Sequence, residues 1–214
     1  PDKIICVGAN YAEHRNEAKL APTQHPIIFF RLARSQIGHE EPMLLPPESE
    51  KLDFEGEIAV IIGREGRRIP AEEAYQYIAG YSCYNDGSVR DWQTHTNQWG
   101  PGKNFNGTGA FGPWMVTSDE IDPRQTPLTL LTRLNGEVVQ QKTTDHMIFS
   151  IPQVVNYVST FTTLLPGDVI ITGTPAGVGA ARKPQRFMKE GDVVEVEVSG
   201  IGVLRNRIQS ELPQ

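Results

Sequence analysis

The chain has 214 residues and a formal net charge of -6. That length suits one domain, or one and a half, with a substantial core. The acidic balance argues against a nucleic-acid partner held by phosphate neutralisation, and no apolar run approaches the roughly 18 residues of a membrane span.

Short β-type runs dominate, punctuated by 20 glycines and 16 prolines as a turn-rich β fold requires. In chain order the expected strands are Ile4–Val7, Ile27–Phe30, Ile58–Ile62, Ile78–Tyr84 and Trp114–Val116. Leu128–Leu134, Val138–Lys142, Val169–Thr172, Val193–Val198 and Gly202–Ile208 follow, with Asn135-Gly136 marking a hairpin turn. Three helices are expected. Tyr11–Leu20 is short and polar, Ala71–Tyr77 starts after Pro70, and Ile151–Thr160 follows Ser150 as its N-cap. The fold class is α+β with a β-dominated core. No glycine-rich phosphate loop follows a strand, so no nucleotide cofactor is expected. Cys6 and Cys83 lie in apolar strand-like runs without metal spacing and read as reduced core thiols of a cytosolic protein.

The most informative stretch is Leu52–Gly63, L-D-F-E-G-E-I-A-V-I-I-G. Asp53, Glu55 and Glu57 fall on alternate positions, and in a strand such residues share a face. Like charges side by side repel, and a divalent cation between them removes the conflict. A hard ion such as Mg²⁺ takes carboxylate oxygens and keeps waters that a substrate can displace. A solvated acidic edge is the alternative for this motif alone.

In Tyr81–Gln93, Asp86 closes an apolar run where a third metal carboxylate belongs. Arg90 and Gln93, four and seven residues on, share its face if a helical turn begins there; an N-cap role for Asp86 is the competing reading. Lys103, the lone charge of the glycine-dense tract Gly100–Pro113, is a candidate to steady a developing oxyanion, with a surface loop lysine as the alternative. Ile170–Gly179 ends in hydroxyls and amides able to bind a carboxylate, or simply makes a tight turn. His14 and Glu17, three apart, form a pair if the segment is helical, in which the carboxylate raises the basicity of the imidazole, as a general base acting on water needs; an exposed polar helix with an incidental pair is the alternative. His25, His39, His95 and His146 read as structural or solvent-facing.

Taken in order, G-A-N-Y-A-E-H-R-N-E, D-F-E-G-E-I-A-V-I-I-G, Y-N-D-G-S-V-R-D-W-Q, G-K-N-F and L-L-P-G-D-V-I-I-T-G-T-P-A-G-V-G resemble the fumarylacetoacetate hydrolase family, in the shorter branch that includes acylpyruvate hydrolases. The resemblance implies a mixed β-sheet roll with a few flanking helices, over residues 1–214 as one catalytic domain. It further implies a cytoplasmic homodimer, and an N-terminal extension missing before Pro1. It makes Glu55, Glu57 and Asp86 ligands of Mg²⁺ or Mn²⁺. His14 and Glu17 match a water-activating dyad on a mobile segment, and Lys103 matches a lysine beside the substrate oxygen. Arg90, Gln93 and Thr174 match positions that hold the substrate's carboxylate end.

Where the family usually shows lysine-proline, this chain has Arg31-Leu32. A guanidinium is planar and bidentate where an ammonium is a point charge, so Arg31 is a candidate contact for a larger or differently charged substrate tail. The implied reaction is hydrolysis of a C–C bond in a small 2,4-dioxo acid. Decarboxylation of oxaloacetate-like acids, or isomerisation and tautomerisation of 2-hydroxy-dienoates, uses the same metal–enolate chemistry and stays open. The segment 16–24, polar and broken by Pro22, is expected to act as a mobile lid that holds the dyad away until ligand binds.

Overall fold

The computed structural model describes residues 1–211. Its first seven strands are β1 (Ile4–Gly8), β2 (Ile27–Arg31), β3 (Gln36–Ile37), β4 (Met43–Leu45), β5 (Leu52–Asp53), β6 (Gly56–Ile62) and β7 (Ile78–Asp86). The others are β8 (Ser88–Val89), β9 (Gly109–Thr117), β10 (Thr129–Leu134), β11 (Glu137–Thr143), β12 (Val169–Ile171), β13 (Val193–Val198) and β14 (Gly202–Ser210). Four α-helices accompany them: α1 (Ala12–Glu17), α2 (Arg90–Gln93), α3 (Gly100–Lys103) and α4 (Ile151–Phe161).

The strands form a seven-stranded mixed sheet in the order β2-β1-β12-β6-β7-β9-β3 and a five-stranded sheet in the order β11-β10-β13-β14-β4. A small β5-β8 pair joins them. In the five-stranded sheet, β10 and β13 alternate between half-buried and buried residues, so Leu130, Thr132, Leu134, Val194, Val196 and Val198 all face inward. That is the pattern of a sheet covered on one side. Strands β1 and β7 are instead nearly buried throughout. Ile5, Ile58 and Val60 join the main core, while Ile4, Cys6, Tyr84 and Ile171 form a second cluster. The sheets approach each other closely at Gly56, where an added Cβ would lie 2.0 Å from Thr132 Oγ1. Glycine between Glu55 and Glu57 is thus a packing requirement.

Every long expected strand is present, and the Asn135-Gly136 turn has both residues at positive φ, as a type I′ hairpin demands. The helices differ more. The first spans only Ala12–Glu17, and Ala71–Tyr77 is a 3-10 run. Helix α4 matches its expectation, burying Ile151, Val154, Val155 and Val158 on one stripe. The Gln153 side chain accepts the Ser150 N–H at 2.8 Å, closing its first turn. Strand β9 begins five residues before the expected Trp114, because Gly109–Gly112 pairs with Cys83–Asp86 despite its glycines. Both cysteines are buried and free.

Candidate active site

Strand β6 and the end of β7 run side by side, with Gly56 opposite Asn85. Glu57 stands on β6 and Asp86 closes β7. Glu55 falls in the break between β5 and β6, so it is not one pleat from Glu57 on a continuous strand. Its amide donates to Asn85 Oδ1 at 3.0 Å, and its carbonyl accepts the Asp86 N–H at 2.8 Å. The three buried carboxylates converge, each offering an oxygen within 4.8 Å of the others.

Lys103 sits at the end of α3 and is 1% exposed, so it is a buried cation and not a surface loop lysine. Its Nζ lies 2.6 Å from both Glu55 Oε2 and Asp86 Oδ2. Arg90 Nη1 reaches Glu55 Oε1 at 2.7 Å and Gln93 Oε1 at 2.9 Å, while Nε donates to Asp53 Oδ2 at 2.8 Å. Its Nη2 has no hydrogen-bond partner among the described residues. Arg90 and Gln93 share a helical turn as expected, but Asp86 belongs to the strand before it.

These charges set the protonation pattern. Burial alone would raise Glu55, yet the Lys103 ammonium and the Arg90 guanidinium outweigh it and hold the carboxyl below its usual range. Glu57 goes the other way. Burial, then repulsion from Asp86 and Glu55, pushes it well above the usual range, and the Lys103 charge and a short bond from the Gly173 amide offset this only in part. Lys103 is raised, since its two carboxylates outweigh the burial that would lower it. The site therefore holds an acid lacking a positive partner beside two carboxylates already paired. An all-oxygen donor set of this kind fits a hard divalent ion such as Mg²⁺ or Mn²⁺.

In the same cavity, His14 Nδ1 and Glu17 Oε1, both on α1, are 2.8 Å apart. The Gly177 amide donates to both Glu17 oxygens at 3.1 Å. The dyad is thus assembled at the cavity. With Nδ1 committed, Nε2 is the ring nitrogen left for proton exchange. His14, Glu17, Lys103, Gln93 and Thr174 line one cavity of about 290 Å³ with Arg90 and the three acids.

Arg31 does not join them. Its guanidinium is fully buried, bonding Asp86 Oδ1 at 2.5 Å, Gly87 O at 3.0 Å and Thr108 Oγ1 at 2.7 Å. It stands behind the cavity as a partner of a carboxylate, with no free face for a substrate tail. Thr174 is also committed, its hydroxyl donating to Gly56 O at 2.9 Å and accepting from Gln140 Nε2 at 2.8 Å.

The amides of Ile170–Gly179 bind the protein's own acids: Gly173 holds Glu57, Gly177 holds Glu17, and Gly179 with Ala180 holds Asp53. Asp53 thereby becomes the anchor of Arg90. Gln140 escaped the sequence reading, although its Oε1 accepts the Gly56 N–H at 3.0 Å. Asn10 did too; it ties the loop before α1 to Thr172 O and Phe149 O at 2.8 and 2.9 Å. Gln140 lies in a hairpin strand far along the chain from the motifs, and no local pattern marks it.

The family described as fumarylacetoacetate (FAA) hydrolase C-terminal matches residues 3–209. The chain belongs to this family of enzymes. It is 44% identical over 211 residues to the mitochondrial oxaloacetate tautomerase of Bos taurus, covering 97% of this chain and 67% of that protein. The chain spans about two thirds of that relative. A 5-carboxymethyl-2-hydroxymuconate delta-isomerase from Mycobacterium smegmatis superposes with a TM-score of 0.87 at 38% identity, over 99% of this chain and 80% of the other. A fumarylacetoacetate hydrolase from Exiguobacterium antarcticum gives 0.90 at 39%, over 99% and 76%. No helix among the described residues is long and apolar enough to cross a membrane.

Proposed function

We propose that the chain catalyses proton transfer within a small 2-oxo acid of the oxaloacetate type, interconverting its keto and enol forms. The observation that carries this reading is a cavity in which a single His–Glu pair faces a buried carboxylate cluster with a lysine inside it. Its similarity to an oxaloacetate tautomerase and a hydroxymuconate isomerase supports proton transfer as the first reading. Glu55, Glu57 and Asp86 would hold Mg²⁺ or Mn²⁺. When bound, the ion supplies positive charge against a carboxylate and a neighbouring oxo group.

In the enol-to-keto direction the C2 hydroxyl gives up its proton and C3 gains one. His14 Nε2 is the group placed to move a proton, with Glu17 on Nδ1 fixing the tautomer and stabilising the imidazolium. Lys103 Nζ donates to the enolate oxygen as charge develops there. The unpartnered Arg90 Nη2 and the Gln93 amide orient the carboxylate end. The homodimer implied by the family resemblance is part of this proposal and is measured by sedimentation.

The His14–Glu17 geometry also favours a second reading, hydrolysis of a 2,4-dioxo acid, because the same base can deprotonate water. Two assays separate the readings. Decay of the oxaloacetate enol absorbance should accelerate with protein and Mg²⁺ and return to the spontaneous rate in chelator. Acylpyruvates incubated in H₂¹⁸O should release no labelled carboxylic acid. Labelled acid with an unaccelerated enol decay would replace tautomerisation by hydrolysis.

A further inference from the structure

The His14–Glu17 pair leans on one loop. Among the described residues, the Glu17 carboxylate bonds the His14 ring at 2.8 Å and the Gly177 amide, which donates to both its oxygens. A carboxylate that orients a base needs a fixed support of its own. Whatever fixes Gly177 therefore fixes the pair.

Gly177 has little freedom. Its φ is +110°, and an added Cβ would lie 2.3 Å from Val139 O. Its carbonyl accepts Arg182 Nε at 3.0 Å, and Arg182 Nη2 donates to the same Val139 O at 2.7 Å. One planar guanidinium thus joins the loop to strand β11 through two carbonyls, a fork that a point-charge ammonium cannot reproduce. The Arg182 amide bonds Gly179 O at 3.2 Å, so a short turn curls the side chain back over the loop.

The Val139 carbonyl is turned to this use by the sheet. Thr132 pairs with Gln140 and Arg133 with Val138, which leaves Val139 as the extra residue of a β-bulge. Bulges re-aim groups beside active sites, and here the group is a backbone carbonyl. The neighbouring Gln140 amide donates to Pro175 O at 2.8 Å, so β11 grips the loop at two points. Arg182 does not line the cavity. Its route to the chemistry runs through Gly177 and Glu17.

We propose that Arg182 is a positioning residue for the His14–Glu17 pair, clamping Gly177 against the bulged Val139 so that the Gly177 amide meets both Glu17 oxygens. Its kinetic consequence rests on the proton-transfer reading; the clamp itself does not.

Rates and hydrogen exchange test this together. Arg182→Ala should lower kcat for enol decay about 10–100-fold, the scale of a slightly misplaced base. KM and the Mg²⁺ Kd should stay within about twofold, as for a loss felt in the transition state alone. Arg182→Lys, whose ammonium reaches one carbonyl at a time, should recover part of the loss. In a His14→Ala background, Arg182→Ala should cost less than about twofold, because its route is already cut. In the resting protein, Arg182→Ala should quicken exchange at residues 12–17 and at Gly177 about tenfold, the worth of a bond from a charged donor. The β6 and β7 amides should not change.

An equal loss of rate in both backgrounds, or faster exchange spread evenly over the sheets, makes Arg182 a general structural residue and overturns the proposal. Unchanged exchange at residues 12–17 overturns it as well. Should Arg182→Ala fail to fold, Arg182→Lys and Gly177→Ala carry the same comparison, the latter through its clash with Val139 O. If the wild-type protein leaves enol decay at the spontaneous rate, the proton-transfer reading falls, and exchange alone decides the clamp.

Discussion

Glu57 and Asp86 of the cavity stand on paired strands, whereas Leu20, Trp99 and Val178 in its lining belong to segments outside helix and strand. Glu57 and Asp86 occupy neighbouring strands whose register is fixed by the hydrophobic run behind them. Arg31, Asn85, Gln140 and the Gly173 amide hold these acids and the backbone between them from behind. From Ala21 to His25 every residue of the outer segment is exposed. Its attachments are few, among them the His25 ring stacked 5.7 Å from Tyr157. The difference assigns precision to the strands, where misplacing a carboxylate would be felt at once, and adaptability to the segments that meet the variable end of a substrate.

The sharpest way to break that comparison is at the dyad, which joins the two regions. Replacing His14 with alanine should lower kcat by about 10²–10⁴-fold, the usual worth of a positioned acid–base group. Mg²⁺ affinity, read by calorimetry, should stay within about twofold, since the ring bonds none of the three acids. An active His14→Ala protein would move proton transfer to another group.

A smaller effect should follow behind the floor. Gln140→Ala leaves the buried Gly56 N–H and the Thr174 hydroxyl each short of a partner, at a cost of about 1–3 kcal/mol. Because Gly56 sits between Glu55 and Glu57, activity should fall about 10–100-fold, as for other residues that orient ligands from behind. Urea melts and initial rates check the two effects. Full activity in this variant would show that β6 does not need its cross-sheet support.

Smaller again is an effect of alkali on the strands. Burial pushes the Cys83 thiol of β7 up to about 12 and raises the Tyr81 phenol on the same strand. In the unfolded chain a thiol ionises near 8.5 and a phenol near 10. Between those values and the native ones, the folded state keeps protons that the unfolded chain has released. Stability is therefore fully present below about pH 8.5 and falls as pH rises toward 12, by about 1.4 kcal/mol per pH unit for each group fully in its window. Urea midpoints at pH 8 and 10.5 measure the loss, and native cysteines should resist Ellman's reagent at pH 8. Fast native labelling would mean that the sheet opens locally.

Much of this architecture was legible in the chain. Strands such as Val193–Val198 follow from strict alternation, and the acids of D-F-E-G-E and of N-D-G stand out because charge interrupts apolar runs. What escaped depends on contacts between distant segments. Lys103 looked like a loop residue because G-P-G-K carries no helical pattern, yet it ends a helical turn and reaches Glu55 and Asp86. Arg31 stood out as a departure from lysine-proline, but its carboxylate partner Asp86 is 55 residues away and invisible to local pattern. The Ile170–Gly179 amides were rightly seen as carboxylate binders, but their carboxylates are Glu57, Glu17 and Asp53.

The least forceful test addresses the outer region directly. In α1 the Arg15 and Ala18 amides already bond to Tyr11 and His14 carbonyls at 2.9 and 3.0 Å, and Glu17 is pinned by Gly177. Residues 12–17 should therefore exchange slowly even without ligand. Beyond Leu20, whose amide reaches Arg15 O at 3.0 Å, the exposed stretch to His25 lacks helix or strand and should exchange within seconds. Leu20 lines the cavity, so a ligand bound there would lower the cost of ordering this stretch. Oxamate with Mg²⁺ should then slow exchange across residues 18–25 by a few-fold, while the β6 and β7 amides stay unchanged. Equal protection with and without oxamate would mean that the wall is preformed, and the contrast between a fixed floor and a yielding rim would have to be abandoned.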